Sequence, residues 1–191
     1  MIHVISTTAN LEEGYELRKR QYIDGLTAII QHYEICPYII ESVKKSPYFS
    51  EHYIGNFHTH NKGVNEFAHI KEFFELYDSK FDDEDYIIKT TLRYEVNSSC
   101  FIDAVRQSEY DIYCKEGKDI YGSNDHSVHT FLIAMRYKCW KEFFATTFDV
   151  TSNDPVEWFV AKYARTKNTK FLDYIGITAR PASFHGKEFQ C

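Results

Sequence analysis

Short β-rich apolar runs alternate with stretches whose apolar residues recur every three or four positions, and this alternation constrains the fold more than any other feature of the chain. Ile2 to Ser6 reads as a buried strand ending in the polar turn Thr7-Thr8-Ala9-Asn10. Asn10 and Glu13 have the spacing of a helix capping box, and Tyr15, Tyr22, Leu26, Ile29 and Tyr33 follow at helical intervals. Pro37 to Val43 and His52 to His58 read as the next two strands. Val64, Phe67, Ile70, Phe74 and Tyr77 then mark the apolar stripe of a helix that opens just after Lys62-Gly63. Tyr86 to Thr91 suits the centre of a sheet. Beyond it the pattern predicts a helix over 97–107, strands over 110–115 and 129–137, and a helix over 138–148. A further helix begins at Asp154-Pro155, with Glu157 closing a box on Asp154, and a last strand covers 171–178. Parallel neighbours need crossover helices, so the order implies an α/β fold with a mostly parallel or mixed central sheet flanked by helices. No repeat, low-complexity tract or Pro/Gly-rich linker divides the 191 residues, and a single domain is expected.

Charge and composition narrow the partners. Twenty-two Lys and Arg against 28 Asp and Glu leave a formal charge of −6, which lacks the basic footprint a nucleic-acid-binding surface needs. No apolar run approaches a membrane span, and no basic segment followed by an apolar one opens the chain, so a soluble, cytoplasmic protein is expected. The five cysteines (36, 100, 114, 139 and 191) form no C-x-x-C pair and read as reduced thiols, inert and buried except at Cys191. Aromatic residues make up 17% of the chain, which supplies both core volume and flat surfaces for stacking on rings.

Open α/β sheets bind ligands where the carboxyl ends of strands face a crevice, which directs attention to Thr7-Thr8, to residues 58–65 and to residues 90–94. In the second segment Lys62, Gly63 and the free N–H groups of a helix start form a site for an anionic ligand, or else a plain capping loop. In the third, Arg93 is suited to a phosphate and Tyr94 to stacking or hydroxyl recognition. Lys62 and Arg93 are expected to converge. Asp125 and His126, in the polar knot 123–129, are candidates to bind acceptor hydroxyls, ligate a metal or abstract a proton, unless the knot is only an Asx-type turn. Asp83-Glu84-Asp85 spells a metal-binding Asp-x-Asp pattern but precedes its strand, and reads as a solvated acidic turn. Asp78 at a helix end and His185 in the polar tail join Asp125 as weak metal candidates.

Thr7-Thr8 at the end of the first strand, Asn61-Lys62-Gly63-Val64-Asn65-Glu66 opening a helix, and Ile87-Ile88-Lys89-Thr90-Thr91-Leu92-Arg93-Tyr94 together resemble small GT-A-type glycosyltransferases. These carry an NKG-x-N-E segment and a T-G-R-Y-like segment after the central strand; here Leu92 stands where that pattern prefers glycine. The likeness is greatest to chlorella-virus enzymes that build capsid-protein glycans. The resemblance implies a GT-A-like, Rossmann-related domain moving a sugar from a nucleotide-sugar donor, UDP by analogy, to a hydroxyl of a glycan acceptor. It implies that Thr7, Thr8, Lys62, Gly63 and Asn65 hold the nucleotide and that Arg93 and Tyr94 lie beside the diphosphate and sugar. A divalent cation, Mn²⁺ or Mg²⁺, commonly serves such enzymes, and Asp125 would act as base if the anomeric centre inverts. Two other readings stay open. One is a metal-dependent hydrolase built on His58 and His60, two imidazoles on one strand face completed by Asp125 or His129. The other is a non-catalytic carbohydrate-binding module.

Overall fold

The computed structural model describes residues 1–8, 15–41, 53–117, 127–179 and 189–190. Its strands are β1 (Ile2–Thr8), β2 (Tyr38–Glu41), β3 (Tyr53–Ile54), β4 (Tyr86–Thr91), β5 (Glu95–Val96), β6 (Ile112–Cys114), β7 (Glu116–Gly117), β8 (Ser127–Val128), β9 (Leu132–Arg136), β10 (Thr169–Phe171), β11 (Ile177–Ala179) and β12 (Phe189–Gln190). Its helices are α1 (Tyr15–Tyr33), α2 (Lys62–Tyr77), α3 (Cys100–Arg106), α4 (Tyr137–Thr146) and α5 (Val156–Ala164). Seven strands form the central sheet in the order β10-β6-β9-β4-β1-β2-β3. The sheet is mixed: β4, β1, β2 and β3 run parallel, β9 runs antiparallel between β4 and β6, and β10 is parallel to β6.

The two-residue alternation of the strands sorts the core into two layers. Ile5, Ile40, Ile87, Ile133 and Met135 point toward α2, α4 and α5, where Phe67, Phe74, Trp140 and Phe143 pack ring against ring at tilted to edge-on angles. Val4, Ile39, Ile88 and Ala134 point the other way, toward Tyr22, Ile29 and Tyr33 of α1 and Phe101, Ile102 and Val105 of α3. The aromatic richness therefore goes largely into the interior. Fully buried Trp140 also donates its indole N–H to the Ile87 carbonyl at 3.1 Å, which satisfies the one polar atom such burial would strand.

Several expectations need correction. The run 52–58 yields only the two residues of β3, and 55–61 is loop. The segment 171–178 divides: β10 joins the central sheet and β11 a small antiparallel sheet with β5 and β12. Gly176 makes that break, at φ +67° and with Ser98 Oγ only 2.2 Å from where a Cβ would stand. The Asp154–Glu157 box does not form; Pro155 precedes α5 without a side-chain cap, and Glu157 accepts from the Thr130 hydroxyl at 3.0 Å. Asp85 is no solvated turn residue. It is buried beneath the amino-terminal ammonium, accepts from the Asp82 N–H at 3.1 Å and meets His3 Nε2 at 3.1 Å. Cys36 is exposed, whereas Cys114 and Cys139 are buried as expected, and burial pushes the Cys114 thiol up to about 12. The Asn10–Glu13 box and Cys191 lie outside the described residues. No described helix is long and apolar enough to cross a membrane.

Candidate functional site

At the carboxyl edge of the sheet β1 and β4 end side by side, with Thr7 opposite Thr91 and Ser6 opposite Thr90. Alternation turns Thr7, Lys89 and Thr91 toward α2. There Glu66 Oε1 accepts from Lys89 Nζ at 2.9 Å, from Thr91 Oγ1 at 3.1 Å and from Thr7 Oγ1. Lys89, only 1% exposed, also donates to the Thr130 carbonyl at 2.8 Å, and the Thr130 hydroxyl continues the chain to Glu157. Burial works to raise the Glu66 carboxyl, but the adjacent ammonium and the hydroxyl donors outweigh it and hold the group below the usual carboxylate range. On the other face Thr8 Oγ1 donates to Glu41 Oε2 at 2.8 Å, and Glu41 is fully buried. Thr7 and Thr8, each 2% exposed, thus spend their hydroxyls inside the protein.

The loop entering α2 supplies the second wall. Asn61 caps the helix by accepting from the Val64 N–H at 3.3 Å, and its amide donates across to the Asp154 carbonyl at 3.2 Å. Lys62 projects into solvent from this first turn. Gly63 is small because α5 is close: a Cβ there would stand 2.9 Å from Val156 Cγ1. Asn65 fastens the loop, its Oδ1 accepting from the His58 N–H at 2.8 Å and the Thr59 N–H at 3.3 Å. Both residues therefore have packing duties that their sequence position did not reveal.

After β4 the chain turns through Leu92, Arg93 and Tyr94. Arg93 Nη2 donates to the Tyr94 hydroxyl at 2.8 Å and the guanidinium lies 4.9 Å from the centre of that ring, while buried Arg93 Nε has no partner among the described residues. Burial pushes the Tyr94 phenol up, and the nearby guanidiniums of Arg93 and of Arg18 on α1 oppose the rise. The Leu92 carbonyl is covered by α1, since a Cβ on Gly25 would stand 1.9 Å from it. Lys62 lies one helical turn before Glu66, about 6 Å away on the same face, and Glu66 touches Thr91, two residues before Arg93.

Other sequence candidates do not assemble. His58 and His60 share no strand face, because their segment is loop: His58 Nε2 meets Glu72 Oε1 at 2.7 Å, and the His60 ring packs on Phe57 at 5.1 Å. Burial works to raise the Glu72 carboxyl, yet hydrogen bonds from Asn56, Tyr53 and His58 bring it down to about 2. His129 is buried, with its pKa pushed down to about 4 by desolvation and by the charge of Lys115. Asp78 lies at the opposite edge of the sheet, accepting from the Tyr137 hydroxyl at 2.8 Å. Asp125, His126 and His185 lie outside the described residues. Among the described residues no three His, Cys, Asp or Glu gather as a metal would require. Glu66, the carboxylate that α2 brings to the end of β4, is paired with the Lys89 ammonium. Sequence reading missed Glu66, Lys89, Thr130, Glu41 and Arg18; the signal for Lys89 was a charge inside an apolar strand, which demands a buried partner.

No family model matches the chain, and no curated protein matches it in sequence. Solved structures do match its fold. The inositol-1-phosphate CTP transferase from T. maritima superposes with a TM-score of 0.55 at 11% identity, over 90% of this chain and 84% of that one. A protein assigned as a nucleotide-diphospho-sugar transferase from Desulfovibrio desulfuricans G20 gives 0.53 at 9% identity, over 90% of this chain and 79% of that one. The 4-diphosphocytidyl-2C-methyl-D-erythritol synthase from Anaerococcus prevotii DSM 20548 gives 0.51 at 17% identity, over 95% and 91%. The capsid-glycan side of the sequence resemblance has no counterpart among these three. At such identities the likeness establishes the fold: a single α/β domain with a mixed central sheet, of the kind found in nucleotide-sugar transferases and nucleotidyltransferases.

Proposed function

We propose that the chain is a nucleotide-sugar-dependent glycosyltransferase whose donor lies along the carboxyl edge, with its diphosphate between Lys62 and Arg93 and a hydroxyl of a glycan as acceptor. The observation that carries this reading is a charge imbalance. Lys62, Arg93 and Arg18 have no carboxylate partner among the described residues, whereas the buried cation beside them, Lys89, is fully matched. Unmatched cations at the crevice edge suit a ligand bearing two or three negative charges, and in transfer they would offset charge on the departing diphosphate. The fold neighbours named for nucleotide sugars and CTP support the class of ligand. A second reading, nucleotidyl transfer from a triphosphate, is favoured by the two neighbours named for cytidylyl chemistry.

The test is a panel of UDP, CTP and UDP-sugars, with and without Mn²⁺, scored by melting temperature and by product. A ligand at about a hundred times its dissociation constant adds about 2.7 kcal/mol, a rise on the order of 5–10 °C for a domain of this size. Lys62→Ala and Arg93→Ala should each abolish most of the shift; if neither does, the donor placement is wrong. Release of UDP supports glycosyl transfer, and release of pyrophosphate supports the second reading.

A further inference from the structure

Glu66 is held in an unusual way. Its Oε1 takes the hydrogen bonds from Lys89, Thr91 and Thr7, while its Oε2 takes none from any described residue, and 23% of the side chain is open to solvent at the carboxyl edge. Two of the three groups holding it are themselves nearly closed off: Lys89 is 1% exposed and Thr7 2%. One oxygen of a fixed carboxylate is therefore anchored and the other presented. A carboxylate tied to a buried ammonium is a poor proton acceptor, because the charge that stabilises it weakens its basicity. It remains a strong hydrogen-bond acceptor with vacant lone pairs. A purely structural ion pair would gain by turning both oxygens inward, since a half-satisfied carboxylate near the interior forgoes hydrogen bonding.

We infer that Glu66 is a specificity residue whose Oε2 accepts a hydrogen bond from a sugar-ring hydroxyl of the bound nucleotide sugar. Its place supports this: Lys62 stands one turn outward on the same helix face and Arg93 just beyond Thr91, so a diphosphate between them leaves Glu66 facing the rings attached on either side. Two rings offer such hydroxyls, the ribose and the transferred sugar. The inference rests on the nucleotide-sugar reading above.

Calorimetric titration of the wild-type chain and of Glu66→Gln with UDP, 2′,3′-dideoxy-UDP and UDP-glucose tests it. Gln keeps the size of the side chain and can still accept from Lys89 and both threonines, and the dideoxy ligand probes the contact without altering the protein. If the ribose is held, wild type binds UDP about tenfold more tightly than the dideoxy form, as expected for a hydrogen bond to a charged group, and Glu66→Gln brings that ratio toward one. If the transferred sugar is held, Glu66→Gln weakens UDP-glucose about tenfold and leaves both nucleotides unchanged. Equal weakening of all three ligands reveals a merely structural carboxylate and overturns the inference while leaving the nucleotide-sugar reading intact, as does no change in any of them. A wild-type chain that binds none of the three overturns both.

Discussion

The two edges of the central sheet handle charge in opposite ways. At the amino edge charges are answered within the protein: Asp85 by the chain's own ammonium, Arg136 by Glu84 and Asp111 at 3.0 Å each, Lys138 by Glu84 at 2.5 Å and Lys141 by Asp83 at 2.6 Å. At the carboxyl edge a buried Lys89 and a partly exposed Glu66 neutralise each other, and Lys62, Arg18 and Arg93 have no carboxylate partner among the described residues. Matched surface charge contributes little and recruits nothing; unmatched charge repels itself until an anion arrives. The proposal of a ligand at the carboxyl edge rests on this difference.

That contrast can be broken experimentally. The largest effect is expected at the buried pair. Lys89→Met strands the Glu66 carboxylate and should cost about 3–5 kcal/mol, read as a lower urea midpoint, while Lys89→Met combined with Glu66→Leu should recover much of the loss. If the single variant is as stable as wild type, the pair does not organise the carboxyl edge. Acid should come next. His129 is held neutral in the folded chain, with its pKa near 4, and titrates near 6.5 when unfolded. The unfolded state then binds more protons between those values, so stability falls as pH drops from about 6.5 toward 4, by up to about 3 kcal/mol. His129→Phe should flatten that stretch of the stability curve, and an unchanged slope would rule out this residue as its source. The smallest effect belongs to the amino edge. Lys141→Ala removes an ion pair whose partners are 45% and 63% exposed, and should shift stability by less than about 1 kcal/mol, and less again in high salt.

Sequence pattern located what periodicity controls. Tyr86 to Thr91 is a strand over those same residues, and α2 opens at Lys62 under an Asn61 cap, because an apolar run and a capped apolar stripe satisfy themselves locally. Short elements escaped because their ends depend on a neighbour: β3 lasts only while it pairs with β2, and β10 only while it pairs with β6. Glu157 shows a similar limit at one residue. Its spacing to Asp154 offers a box, yet the Thr130 hydroxyl, 27 positions away in the chain, takes its oxygen instead. The site was legible as an edge and not as a set of contacts. Thr7, Lys62 and Arg93 follow from strand ends and a helix start, but the joining of Glu66 to Lys89 is a tertiary fact that no local spacing encodes.

Gly25 fixes where α1 meets the bend that follows β4. Arg18 and Gly25 are two turns apart on one stripe of the helix, and both face the bend from Leu92 to Tyr94. With backbone pressed on backbone there, the bend has no slack of its own. A side chain inserted at position 25 would pry the helix away, carrying off one guanidinium and unsettling the other, so a substitution in the middle of a cover helix would be felt at the carboxyl edge of the sheet.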